Sequence, residues 1–148
     1  MTCIAWDGKT VAADKRATCS GVHFTTTKIR RVKVGDRVPE VLAWTGDQDA
    51  GELMAQWYAN GADVSKWPEC QKDPDGWCRL LVFSINGAWM YERLPVSVKI
   101  ENTFCAWGCG RDFALAALHF GKSPREAVEV ACLFETGCGN GIDVLELV

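Results

Sequence analysis

Nothing in this chain marks it for a membrane or for export. No apolar run among its 148 residues approaches the roughly 20 needed to span a bilayer as a helix. No signal-peptide pattern precedes Thr2, so the expected location is the cytoplasm. Excess charge is also missing: 16 basic against 19 acidic residues leave a net charge of −3, which gives no electrostatic reason to expect nucleic acid or an anionic membrane as partner. Histidine is scarce, with His23 and His119 alone, and none of the cysteine spacings (Cys70 to Cys78, Cys105 to Cys109, Cys132 to Cys138) fits a zinc site well. No metal or other cofactor is expected. Internal repeats and low-complexity segments are absent as well.

What is present is an ordinary globular balance, 48% hydrophobic and 24% charged. One domain spanning residues 1–148 is the simplest division, long enough to bury a real core. Eight cysteines without an export signal read mostly as reduced, small buried residues rather than disulfides.

Along the chain, Asp7-Gly8 between Thr2–Trp6 and Thr10–Ala13 predicts a hairpin with a type I′ turn. A turn at Cys19-Ser20-Gly21 leads to a Thr-rich run, Phe24 to Thr27, and then to a β-branched strand over Lys28–Val34. Val38–Thr45 reads as a strand. Asp47 reads as the cap of a helix with Ala50, Leu53, Met54, Trp57 and Tyr58 on its apolar face, stopping at Asn60-Gly61. Asp63–Trp77 reads as a surface connection with one helical turn. A second hairpin is predicted over Arg79–Ile85, Asn86-Gly87 and Ala88–Glu92, followed by an edge or irregular strand at Pro95 and a strand over Thr103–Trp107. Two helices follow: Arg111–Phe120, and one opened by the capping box Ser123-Pro-Arg-Glu126 with Ala127, Val130, Ala131 and Phe134 on its apolar face. Ile142–Val148 closes the chain as a strand. Strands in hairpins and helices in clusters indicate an α+β fold with antiparallel sheets.

The start of the chain carries chemistry. Loss of Met1 would leave Thr2 at a free N-terminus, where one residue supplies both a hydroxyl nucleophile and an α-amine, whose reference pKa of roughly 7.7–8.0 suits a general base near neutral pH. The run Thr2-x-Ile-Ala-Trp-Asp-Gly-x-x-Val-Ala-Ala-Asp14-x-Arg16-Ala-Thr18 resembles the start of mature proteasome β-subunits and the related bacterial peptidase HslV. Residues Val11 to Thr18 match that pattern almost letter for letter. The resemblance implies the four-layer αββα sandwich of the N-terminal-nucleophile hydrolases.

It also implies roles. Thr2 falls on the nucleophile, Asp14 on the catalytic-centre acid and Arg16 on a structural arginine. The family's essential lysine opens a Lys-aliphatic-x-x-aliphatic strand, which Lys28-Ile29-Arg30-Arg31-Val32 reproduces; a rigid count from the N-terminus would select Arg30 or Arg31, and the strand pattern favours Lys28. Gly46 matches the glycine whose N–H forms the oxyanion hole. Trp44, two residues before it, falls at the floor of the pocket for the substrate side chain preceding the cut, and Thr26 is a second pocket residue. Cys109 and Cys138 fall where the family has serines, and Glu135 where it has an aspartate; those three groups would orient the terminal amine.

The implied function is a threonine-type endopeptidase acting on peptides or unfolded proteins, assembled as a homo-oligomeric ring and served by an ATP-dependent unfoldase. Two other readings use the same fold: a catalytically weak or silent scaffold, favoured if Met1 is retained, and an amidase acting on small amides. Thiols at 109 and 138 are weaker, longer hydrogen-bond partners than hydroxyls, which favours the first of these.

Overall fold

The computed structural model describes residues 1–148. β1 (Cys3–Trp6) and β2 (Thr10–Asp14) lie at the centre of a four-stranded antiparallel sheet, with β10 (Cys105–Gly108) beyond β1 and β11 (Ile142–Glu146) beyond β2. A second antiparallel sheet runs in sequence order through β5 (Ile29–Val32), β6 (Glu40–Gly46), β7 (Cys78–Ser84), β8 (Gly87–Tyr91) and β9 (Val98–Ile100). β3 (Arg16–Cys19) and β4 (Val22–Thr25) form a separate two-stranded ribbon. The helices are α1 (Gln48–Ala59), α2 (Arg111–His119) and α3 (Pro124–Phe134). None is long and apolar enough to cross a membrane.

The layering follows from strand parity, since successive side chains point to opposite faces. In β1, Ile4 and Trp6 enter a core between the sheets with Val41, Ala43, Leu81 and Phe83. Cys3 and Ala5 face the other way, against Ala114, Leu118, Ala127 and Ala131 of α2 and α3. Similarly, Leu42 and Trp44 of β6 turn from the inter-sheet core toward Ala50, Met54, Trp57 and Tyr58 of α1. The result is α2 and α3, sheet, sheet, α1: the αββα sandwich. The alanines on both sides of the α2/α3 contact keep that layer thin, whereas the rings of Trp6, tilted, and Trp107, edge-on, lie 5.7 and 5.6 Å from that of Phe83 and fill the centre.

The caps form as read. Asp47 accepts from the Ala50 N–H at 2.9 Å. Ser123 and Glu126 complete a reciprocal capping box, with Pro124 in the first turn.

Several local expectations are corrected. Asp7 does not enter the left-handed region, so the first turn is not type I′. Its carboxylate instead accepts the Lys9 and Thr10 N–H groups at 3.0 and 2.9 Å, and only Gly8 (φ 89°) is left-handed. The second hairpin turns at Ile85-Asn86, one residue early, with Gly87 already paired to Ser84. The strand expected from Lys28 starts at Ile29, and β3–β4 occupies what read as a turn and a Thr-rich run; that ribbon covers little core, so no apolar alternation marks it. Leu53 and Phe134 point to solvent rather than to the core.

The Asp63–Trp77 connection holds two 3₁₀ turns, Val64–Lys66 and Glu69–Lys72, where one was expected. Its anchor is Gln71, fully buried. The Gln71 amide donates to the carbonyls of Cys78 and Glu92 and accepts the Cys78 N–H at 2.9 Å, standing in for a strand neighbour at the end of β7.

Candidate active site

Asp14 ends β2 with no exposed surface, so its charge must be satisfied internally. Four donors converge on it. Oδ1 accepts from the Cys3 N–H at 2.9 Å and from Lys28 Nζ at 2.9 Å. Oδ2 accepts the Arg16 and Gly139 N–H groups at 3.2 and 3.1 Å. Lys28, only 2% exposed, reaches over from the start of β5, where its carbonyl accepts the Trp44 N–H at 3.3 Å. Its ammonium also donates to the Met1 carbonyl at 3.0 Å. The pair therefore joins the two sheets and touches the peptide bond that precedes Thr2.

Thr2 is itself buried, and its carbonyl is held from the β10–α2 turn by the Gly110 N–H at 3.3 Å. A side chain at Gly108 (φ 95°) would collide with that carbonyl, so glycine is required there. In its thiol form Cys109 donates to the same carbonyl at 3.5 Å, and its sulfur lies 3.7 Å from that of Cys138. The Cys138 thiol holds the Cys109 thiol's pKa down to about 6, helped by the nearby terminal ammonium and opposed by burial and Glu135. The same contact, together with burial and Asp14, pushes Cys138 far upward. Cys3, buried and next to Asp14, is also raised.

Glu135 makes no hydrogen bond to Thr2; its carboxylate accepts the Gly137 N–H at 3.1 Å and shapes the turn between α3 and β11. Arg16 fastens the same turn, donating to the Thr136 carbonyl at 2.6 Å and to Asn140 Oδ1 at 3.0 Å. That turn in turn delivers the Gly139 N–H to Asp14, so the Arg16 side chain braces the carboxylate to which its own N–H also donates.

A cavity of about 680 Å³ has Met1, Thr2, Lys28 and Gly46 in its lining. Gly46 ends β6 at φ 105°, and an added Cβ would stand 2.8 Å from the Trp77 carbonyl oxygen. No group of three or more His, Cys, Asp or Glu side chains is placed to hold a metal ion.

No protein-family model matches the chain, and no curated protein matches it. Solved structures do. BPH of Thiobacillus denitrificans in complex with epoxomicin aligns over all of both chains at 20% identity, with a TM-score of 0.71. HslV of Trypanosoma brucei aligns at 18% identity and TM-score 0.69, covering 99% of this chain and 98% of its own. Anbu, an ancestral beta-subunit from Yersinia bercovieri, gives 12% and 0.69, covering 99% and 81%. The fold is that of HslV and its relatives.

Within the HslV fold, Thr2, Asp14, Lys28, Cys109 and Cys138 come together, and Gly46 shares the cavity with Thr2 and Lys28. Trp44 does not line that cavity. Its indole is 1% exposed, packed against Gly51 of α1 with the Arg30 guanidinium over the ring at 5.0 Å. Strand parity explains this, because Trp44 points to the α1 side of β6. Its N–H donates to Gln48 Oε1 at 3.2 Å, and Gln48 does line the cavity. Thr26 also lies outside the lining set, with its N–H committed to the Lys15 carbonyl at 2.8 Å.

The walls include residues that sequence reasoning missed: Phe24 from the ribbon, Asp49 from α1, and Asp75 and Trp77 from the long connection. The capping Asp47 beside Gly46 was the signal that could have placed Asp49 at the mouth. Nothing local marked Asp75 or Trp77, which reach the cavity from a connection held by Gln71 and by the Asp47 N–H on the Trp77 carbonyl at 3.3 Å.

Proposed function

We propose that this protein is a threonine-type endopeptidase whose nucleophile, Thr2, is exposed by removal of Met1. The observation that carries the reading is the buried Lys28–Asp14 pair at 2.9 Å, whose ammonium also holds the Met1 carbonyl beside Thr2. A buried ion pair is a poor way to gain stability. Placed next to a threonine at a cavity, it suits electrostatic control of a nucleophile.

With Met1 removed, the Thr2 α-amine takes the proton from the Thr2 hydroxyl as that oxygen attacks a peptide carbonyl. Lys28, freed from the Met1 carbonyl, keeps its ammonium beside the nucleophile and favours the negative charge developing there. The Gly46 N–H receives the carbonyl oxyanion, glycine at this position allowing close approach. The amine returns its proton to the leaving amine, and then activates the water that hydrolyses the acyl-enzyme. Cys109 and Cys138 steady the Thr2 end of β1. The substrates are peptides or unfolded proteins, and the working form is a homo-oligomeric ring fed by an ATP-dependent unfoldase in the cytoplasm.

The test combines intact mass with turnover of fluorogenic peptides. The mature chain should lack Met1 and gain one adduct with epoxomicin, the compound that accompanies the Thiobacillus BPH. Thr2→Ala should lose both adduct and turnover, and Thr2→Ser should keep part of each. Unchanged turnover in Thr2→Ala ends this reading. The thiols at 109 and 138 favour one alternative, a silent scaffold of the same fold, which a retained Met1 and the absence of an adduct would support.

A further inference from the structure

We propose that Cys109 and Cys138 are a redox modification site, closing to a reversible disulfide beneath Thr2 when the protein meets a hydroperoxide. All eight cysteines are free in the structure, and these two, 29 residues apart in sequence, bring their sulfurs to 3.7 Å. A disulfide needs about 2.05 Å, so closure takes a shift of under two ångströms, within reach of side-chain rotation.

Room for that rotation is built in by glycine. The two cysteines sit in Gly108-Cys109-Gly110 and Gly137-Cys138-Gly139. A Cβ at Gly137 would stand 3.1 Å from the Cys109 sulfur, and one at Gly110 would stand 3.0 Å from the Cys138 sulfur. Any other residue at either position would crowd the path along which the sulfurs approach.

The two thiols also differ in the way a peroxide-reactive pair requires. Cys109 is half-buried, whereas Cys138 is 2% exposed, so an oxidant reaches Cys109 first and the partner waits behind it. The exposure of Cys109 sets the order, attacking thiolate and resolving thiol, and the contact that lowers the Cys109 pKa is consistent with it. In the first step the Cys109 thiolate attacks one peroxide oxygen, the O–O bond breaks, and the leaving oxygen takes a proton to depart as water or an alcohol. Cys109 is then a sulfenic acid. In the second step the Cys138 sulfur displaces the hydroxyl from Cys109; its proton leaves with that hydroxyl as water, and the S–S bond forms. The peroxide is reduced by two electrons and the thiol pair is oxidised by two.

The bond would join the β10–α2 turn, which holds the Thr2 carbonyl, to the α3–β11 turn, which delivers the Gly139 N–H to Asp14. It would also draw the Cys109 sulfur toward Cys138 and away from its 3.5 Å contact with the Thr2 carbonyl. Oxidation therefore acts on the support of Thr2 and Asp14; its effect on turnover rests on the peptidase reading above, while formation of the bond does not.

The experiment is non-reducing peptide mapping of the full chain after treatment with hydrogen peroxide. Expected are an intact-mass loss of two hydrogens, a peptide pair joined through Cys109 and Cys138, and full reversal by dithiothreitol. In Cys138→Ser, Cys109 should stop at the sulfenic acid and be captured by dimedone. Cys70→Ser, in the long connection, should cross-link like the unmodified chain. Oxidised protein without that peptide pair, or with Cys109 driven to sulfinic acid while Cys138 stays free, overturns the proposal, and this readout needs no variant to fold. Turnover lost on cross-linking and restored by dithiothreitol supports control of the site; turnover unchanged by a complete cross-link refutes that control. A protein that cross-links as expected but cleaves no peptide when reduced keeps the disulfide and discards the peptidase.

Discussion

Asp14→Asn is the substitution in which the site's electrostatics are most exposed. The side chain keeps its volume, but it loses its charge and turns one acceptor into an NH2 group. Lys28, 2% exposed, is left with the Met1 carbonyl and one neutral oxygen. Removing one partner of a buried ion pair costs about 3–5 kcal/mol. At Oδ2 the new NH2 faces two N–H donors, Arg16 and Gly139, and each buried donor left unpaired costs about 1–3 kcal/mol. Relaxation shares these costs, and a net loss of about 5 kcal/mol is expected, a third or more of the roughly 5–15 kcal/mol that stabilises a domain. At about 2–4 °C per kcal/mol, Tm should drop by about 10–20 °C. Lys28→Met should be milder, about 1.5–3 kcal/mol, because the carboxylate keeps three backbone donors. The double variant should be more stable than Asp14→Asn alone, since the stranded ammonium is gone. Urea melts at one fixed protein concentration measure all three. A cost under about 1 kcal/mol for Asp14→Asn, or strict additivity in the cycle, would refute the ion-pair argument.

Three further outcomes are expected. Iodoacetamide should alkylate Cys109 half-maximally near pH 6, against about 8.5 for an unperturbed thiol. Because the folded pKa lies below the unfolded one, the stability this group contributes is present at high pH and is lost as pH falls through about 6; Cys109→Ser should flatten that part of a stability–pH profile. Gly46→Ala should abolish turnover and lower stability by about 1–3 kcal/mol, since the strained φ and a backbone carbonyl at 2.8 Å both oppose a side chain; a wild-type melt with full activity would contradict this. Trp44→Phe, which keeps the buried ring but releases Gln48, should alter preference at the substrate residue before the cut less than Gln48→Ala does. The reverse order in a fluorogenic peptide panel would put Trp44 itself against the substrate.

Local chemistry explains which features were legible in the sequence. The Ser123 and Asp47 caps and the antiparallel pairing follow from short-range signals, the αββα order came from the family resemblance, and parity distributes Ile4 and Cys3 to opposite faces. The Lys28–Asp14 contact, 14 residues apart, was legible only through the family pattern, since a lysine opening a strand looks the same whether it is solvated or buried. Trp44 went astray for a related reason: its place in the chain beside Gly46 is certain, but the face it occupies depends on the layer that packs against β6. Asp75 and Trp77 were invisible, because a Pro-, Asp- and Gly-rich segment carries no period from which to infer what it covers.

The Gln71 anchor has a consequence for how such a cavity could diversify. Asp75 and Trp77 of the 63–77 connection stand in the cavity wall, and one buried amide, Gln71, ties that connection to Cys78 at the start of β7 and to the Glu92 carbonyl. Further bonds hold the two flanks of the segment: the Asp47 N–H donates to the Trp77 carbonyl, the Trp57 indole N–H to the Asp63 carbonyl, and Arg93 to the carbonyls of Gln71 and Lys72. The replaceable cassette is thus the tip between Lys72 and Trp77, whose hydrogen bonds stay within the segment: a different tip could present new side chains at the mouth while every layer beneath stays as it is. Lineages sharing this scaffold could exchange what they recognise without rebuilding what they do.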